Sequence, residues 1–249
     1  MSDLSLLMTF SLVLLSMYLS YRNRLGLEKD LIIGSIRAVV QLTCIGFVLT
    51  YIFEWNNNIL TTLILLIMVY NAANVASKHG QGIENTMKIS FFTLCIGLFV
   101  TLGSLLLFGS IKYAPNEVIP IGGMILGNSM IALGLIFKGL KENFNRQSDE
   151  VEIKLCLGAR PRQAAAGILR ETMKTAMLPT IDSMKTVGIV QLPGMMTGLI
   201  LAGVSPAIAI KYQIMVAFML VGAVSITALL ASCWTYKKFF TRLEQLRRL

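Results

Sequence analysis

Seven apolar runs, each long enough to cross a bilayer, divide this sequence: residues 4–21, 31–53, 59–77, 89–111, 118–137, 187–204 and 214–234. A helix rises about 1.5 Å per residue, so about 20 apolar residues cover a hydrocarbon core about 30 Å thick. A water-soluble helical bundle would need a charged stripe on each helix, and runs such as ISFFTLCIGLFVTLGSLLLFGSI have none. With 55% of residues hydrophobic and 14% charged, lipid is the main solvent of this chain. The expected fold is all-α: a polytopic integral membrane protein of about seven transmembrane helices, multi-pass in the cell (inner or plasma) membrane. Residues 1–249 read as a single transmembrane domain.

The basic residues set the expected orientation, because Lys and Arg beside membrane segments stay on the cytoplasmic side. With the N-terminus outside and the C-terminus cytoplasmic, 20 of the 22 Lys and Arg lie inside, all but Lys112 and Lys211. This count takes Arg37, six residues into its run, as sitting at the inner membrane edge. Only Met-Ser-Asp-Leu precedes the first run, so it lacks a signal peptide's basic front and reads as a retained span. The net charge of +9 is therefore topological, spread among loops beside an anionic leaflet, and nucleic acid is not an expected partner.

Several function classes lack their residues. Cys44, Cys95, Cys156 and Cys233 stand singly, without a CxxC pair, so neither a disulfide framework nor a zinc site is indicated. The sole histidine, His79, lies in the turn SKHGQG and reads as a solvated loop residue. Neither GxSxG nor HExxH occurs, the runs hold no paired carboxylates, and Ser104 and Ser129 have no histidine in reach; no catalytic residue is assigned. No GxxxxGK[ST] loop is present, so any dependence on ATP must come from another chain.

The outer loops, EWNNN and KYAPNE, leave no room for an extracellular domain. Residues 138–186 are different: they read as a long cytoplasmic excursion with helices of its own. DEVEIKLCL starts acidic and ends at Gly158, a natural helix stop, and a second helix follows Pro161, which suits a first turn. The spacing here resembles the coupling loop of importer-type ABC permeases, EAA, three residues, Gly, nine residues, Ile, whose short helix docks in a cleft on the ATPase. Glu152, Ile153 and Lys154 are followed by LCL, Gly158, nine residues and Ile168. Ile153 and Lys154 depart from the motif's alanines, and ILRE stands where Ile-x-Leu-Pro is usual. A glycine turn between two short helices presents a rigid knob, whether to a soluble partner or to the membrane surface.

The stretches LGARP, PTIDSMKTVGIVQLPGMMTGLILAGVSP and AIKYQI resemble the FetB-type family of ABC transporter permeases, linked in bacteria to iron export and in plants to aluminium tolerance and nucleotide-sugar transport. The likeness is dense over residues 151–216. It implies a homodimeric permease domain working with a cytosolic ABC ATPase subunit. On that footing Glu152, Gly158, Ala159, Arg160, Pro161 and Arg162 are the candidate ATPase-coupling residues. No cofactor is expected on this chain; ATP and Mg would sit on the partner.

TVGIVQLPGMMTGLILAGVSP, residues 186–206, is apolar enough to be a span yet carries two prolines and four glycines. Pro193 and Gly194 free backbone groups in mid-membrane, which is tolerated only against protein or a water-lined cavity. The segment is therefore a candidate pathway lining or hinge, through Gln191, Pro193, Gly194, Met195, Met196, Thr197 and Gly198. Gly194 and Gly198 form a GxxxG spacing that permits close helix approach. Met195 and Met196 read as pliable gap-fillers, and no metal ligand set is assigned. Gln41, Asn71, Asn74 and Asn128 are further polar candidates within the runs. Asp182 falls near the inner membrane edge, three residues before Lys185 on one helical face, where an ion pair or a gating role fits.

Overall fold

The computed structural model describes residues 3–55, 57–241 and 243–247. It divides into two compact units, Met1–Asn57 and Asn58–Leu249.

The first unit is a helical hairpin, α1 (Asp3–Arg22) and α2 (Glu28–Trp55). The turn between them needs left-handed backbone at Arg24 and Gly26. Ser20, buried beneath it, donates to the Glu28 carboxylate at 2.8 Å and accepts the Leu27 N–H. Glu28 and Asp30 occupy the first turn of α2, where carboxylates face the positive helix end. Leu12 and Leu15 on α1 and Leu42 and Phe47 on α2 are exposed, as lipid-facing side chains should be.

The second unit is built around α5 (Pro115–Arg146), which packs against α3 (Asn58–Ser77), α4 (Thr86–Leu107), α8 (Ala166–Thr186) and α10 (Pro206–Thr235). Each neighbour offers one narrow face. In α3 that face is Leu65, Val69, Ala72, Ala73 and Ala76, spaced three or four residues apart. In α4 it is Ser90, Thr93, Gly97 and Thr101, set against α10 around Thr227. A Cβ at Gly97 would lie 2.8 Å from the Thr227 hydroxyl, so the two helices meet closely there. The hydroxyls of Thr93, Thr101, Ser129 and Thr227 have no hydrogen-bond partner, and their contribution is small size. Phe137, Leu133, Ile136 and Leu140 of α5 fill the centre.

Among the described residues, five helices are long and apolar enough to cross a membrane: α2, α3 with the 3₁₀ turn Lys78–Gly80, α4, α5, and α10 with the 3₁₀ turn Tyr236–Phe239. The run 187–204, expected as a sixth-in-order span, is not one helix. It consists of a turn and α9 (Gly194–Leu201), whose eight residues rise only about 12 Å.

The segment 138–186, expected as one cytoplasmic excursion, also divides differently. Its first residues continue α5 to Arg146; α6 (Ser148–Cys156) and α7 (Pro161–Ala164) follow, and α8 then runs back along α5. The antiparallel register is fixed by contacts. Arg146 pairs with Glu171 at 3.2 Å, the Asn143 amide donates to Thr172 at 3.1 Å, and a Cβ at Gly139 would touch the Thr172 methyl. Further along, Thr180, Ser183 and Met184 of α8 line a cavity with Met124 and Asn128 of α5. From Thr172 to Ser183 is about 16 Å of helix, so α8 ends level with Asn128, the middle of α5's apolar stretch.

At the far end of α10 the chain folds back. Phe239 is buried and stacks on Phe144 with ring centroids 4.2 Å apart. Phe240 and Leu246 pair as a single bridge, and Arg247 reaches the Glu84 carboxylate in the loop before α4. That Arg247 contact holds the Glu84 pKa below its ordinary value.

Candidate functional site

The proline and glycines that break the run at 187–204 build a compact turn. Val187 donates to the Ser183 carbonyl at 3.0 Å, and Val190 donates to Thr186 at 2.9 Å. Gly188, at φ 84°, donates to Gln191 at 2.9 Å. Pro193, extended at ψ 148°, then opens α9, where the Thr197 N–H and hydroxyl return to the Pro193 and Gly194 carbonyls. The backbone groups freed in mid-sequence are thus largely taken up within the turn.

Beside the turn lies a cavity of about 300 Å³. Its polar groups are Asn128 from α5, Thr180 and Ser183 from α8, Gln191 from the turn and Gln213 from α10; Met124, Met184 and Met195 supply thioethers. Two of the amide N–H groups are spent internally: Asn128 donates to the Met124 carbonyl at 2.9 Å and Gln191 to the Ser183 hydroxyl at 2.8 Å. The Gln213 side-chain oxygen is buried and has no partner. The lining therefore offers mainly amide oxygens and hydroxyls, and it carries no ionisable side chain. Among the described residues no group of three or more His, Cys, Asp or Glu side chains could hold a metal ion.

Of the residues singled out in the sequence, the fold brings Asn128, Gln191, Pro193, Gly194 and Met195 to this cavity. Met196 lines an apolar hollow of about 490 Å³ on the other side of Gln213, with Leu192 and Phe218. Gly194 and Gly198 make no close approach: a Cβ at either meets nothing within 4 Å in this chain. Gly188 and Gly203 serve turns, both with positive φ. Asn71 and Asn74 are exposed on α3, away from the cavity, and Gln41 belongs to α2 in the other unit. Gln213 was missed because its apolar run was begun one residue later, at Ile214, whereas α10 starts at Pro206 and places Gln213 two turns inside a helix.

Asp182 pairs with Lys185 at 3.3 Å, as the three-residue spacing requires, and both side chains are exposed, at 60% and 64%. Their place is not the end of the apolar stretch. They directly flank Ser183 and Met184 in the chain, level with the middle of α5.

The second cluster is the α6–α7 turn. α6 ends at Cys156, and Gly158, at φ 86°, lets its N–H reach Leu155 at 2.9 Å while Ala159 reaches Lys154 at 3.0 Å. Arg160 is extended, its N–H capped by the Gln163 side chain at 3.0 Å, and Pro161 opens α7. Residues 152–163 are thus two helix ends around a turn. Val151, Ala164, Ala165 and Ile168 are buried and fasten the turn to the helical core, leaving Leu157, Arg160 and Arg162 outward.

A family profile described as "Uncharacterised protein family (UPF0014)" matches residues 3–240. The chain is 43% identical over 242 residues to the "Probable iron export permease protein FetB" of Escherichia coli (strain K12), covering 97% of this chain and 93% of that one. It is 39% identical over 248 residues to the "UPF0014 membrane protein YjkA" of Bacillus subtilis (strain 168), covering 100% and 99%. The "Protein ALUMINUM SENSITIVE 3" of Arabidopsis thaliana is 36% identical over 235 residues, with 94% and 86% covered. No solved structure matches. A profile match over nearly the whole chain, on a helical fold with five membrane-length apolar helices, places this chain in the UPF0014 family of membrane proteins.

Proposed function

We propose that this chain is the transmembrane permease subunit of an ABC transporter, exporting iron or another metal from the cytosol with ATP hydrolysed by a separate subunit. The observation that carries the reading is the 43% identity, over almost the full length of both chains, to a probable iron export permease. In this reading two copies act as a homodimer with two cytosolic ATPases, which bind the ATP and Mg. The N-terminus lies outside and the C-terminus in the cytoplasm. The α6–α7 turn, with Glu152, Gly158, Ala159, Arg160, Pro161 and Arg162, receives the ATPase. α8 is continuous with that turn through α7 and ends at the Gln191 cavity, so a displacement of the turn reaches the cavity through one helix. The broken segment at Pro193 is the hinge, and α8 with α9 makes the sixth crossing. ATP shifts the dimer between inward- and outward-facing states only through a difference in its affinity for the two.

The cavity bears on the cargo. Neutral amide and hydroxyl oxygens repay the dehydration of a multivalent cation poorly, so the metal is best carried within a complex that supplies its own ligands.

A second reading, ion-coupled transport without an ATPase, draws on one observation: Asp182 is an ionisable group level with the middle of an apolar helix. Gentle solubilisation of the tagged chain from its native host, with mass spectrometry of what copurifies in stoichiometric amount, separates the two. Recovery of a P-loop ATPase supports the ABC reading. Reproducible recovery of the chain without one, even after crosslinking, overturns it in favour of ion coupling.

A further inference from the structure

Among the large apolar side chains exposed beyond the apolar helical stretches, where lipid tails do not cover them, are Ile153 at 60%, Leu157 at 82% and Leu243 at 80%. The first two belong to the α6–α7 turn and the third to the folded-back C-terminal loop, and the two elements face each other. Between them is a groove of about 520 Å³, lined by Glu152, Cys156, Gly158 and Arg160 on one wall and Leu243 and Leu246 on the other. Both walls are fastened. Val151 and Ala164 are buried under the first. Under the second, Leu246 packs on the core, the Thr241 N–H donates to Gln245 at 2.8 Å, and Arg247 holds Glu84.

Arg160 lines the groove and Arg162 follows two residues on; both are exposed, and neither forms an ion pair among the described residues. The charge that complements them is a partner's carboxylate. A planar anionic leaflet fits less well, because the groove is concave. The shape asks for a projecting apolar side chain flanked by carboxylates, on a folded protein.

We propose that the C-terminal loop, through Leu243, Glu244, Gln245 and Leu246, is the second wall of the docking site for the ATPase, which seats an apolar knob between Leu243 and the α6–α7 turn. The inference rests on the ABC reading, and it extends the docking surface beyond the segment that the coupling-loop spacing marks. Because α10 leads directly into this loop, the partner would grip both α8 and α10, the two helices that flank the Gln213 cavity.

The test is recovery of a P-loop ATPase, identified by mass spectrometry, with tagged full-length chain carrying Leu243→Asp, Leu243→Met or Arg160→Glu, each checked for a monodisperse elution profile. Leu243 is exposed, so neither substitution there disturbs the core. About a tenfold loss of ATPase with L243D and R160E, with recovery kept in L243M, is the expected result. Undiminished ATPase recovery with L243D overturns the proposal while leaving the ABC reading intact, and so does increased recovery, which would make the loop a cover. Absence of any ATPase from the wild-type preparation removes both readings.

Discussion

At the scale of single residues, two glycines separate packing from tolerance. A Cβ at Gly97 would press on the Thr227 hydroxyl at 2.8 Å, an atom on a short, fully buried side chain that cannot swing aside. One at Gly122 meets the far ends of two flexible side chains, Leu65 at 2.6 Å and Leu98 at 3.8 Å. Gly97→Ala should therefore destabilise the protein by about 1–3 kcal/mol in detergent unfolding, and Gly122→Ala by clearly less; equal losses would discount the α4–α10 approach. Glu84 gives a pH prediction. Its pKa is lowered by Arg247, so the contact is complete above the ordinary value of 4.5 and is lost only as pH falls through the lower folded value. Proteolytic protection of the tail should stay flat from about pH 8 to about pH 5, and Glu84→Gln should weaken it across that whole range. A protection curve with a midpoint near neutrality would show that another group controls the tail. Asp182 and Lys185 were legible as a pair from their spacing, but not their depth, because spacing along one helix carries no information about what lies beside it.

At the scale of elements, α8 departs most from the sequence reading. Arg170, Glu171, Lys174, Asp182 and Lys185 give it the charge of a cytoplasmic helix, and its hydropathy alone would keep it out of the bilayer. Packing against α5 and α10 nevertheless lays it beside the apolar stretch of α5, and a polar helix is tolerated in such a place where protein or a water-filled path covers it. In a chain whose four cysteines are replaced by serine, Ser183→Cys should react with a membrane-impermeant thiol reagent, while Phe99→Cys, on an exposed apolar face of α4, should stay unlabelled. Equal protection of both positions would count against a hydrated path beside α8. The α6–α7 turn was more legible. Gly158 and Pro161 are strong local signals, and the structure places the left-handed residue and the helix start at those positions. Proline at Gly158 cannot adopt φ 86° and should uncouple transport from ATP hydrolysis; transport at the wild-type level by Gly158→Pro would remove the coupling role.

At the scale of the whole molecule, the proposed topology puts Lys112 and Lys211 outside and the α6–α7 turn and C-terminal loop inside. Cysteines introduced in the 108–114 loop should be labelled from outside in intact cells, and cysteines at Arg162 or Leu243 only after the cells are opened. The reverse pattern would invert every functional assignment made here. The membrane class, the all-helical fold, the basic asymmetry and the glycine turn were determined by the sequence itself, because they depend on the summed transfer energy of long runs and on backbone chemistry at single positions. Tertiary structure alone decided three things. It returned α8 along α5, it gathered Asn128, Ser183, Gln191 and Gln213 from three helices and a turn into one cavity, and it laid the C-terminal loop across from α6. Each joins residues far apart in the chain, and such proximity is set by which narrow faces pack together, which no local period or composition encodes.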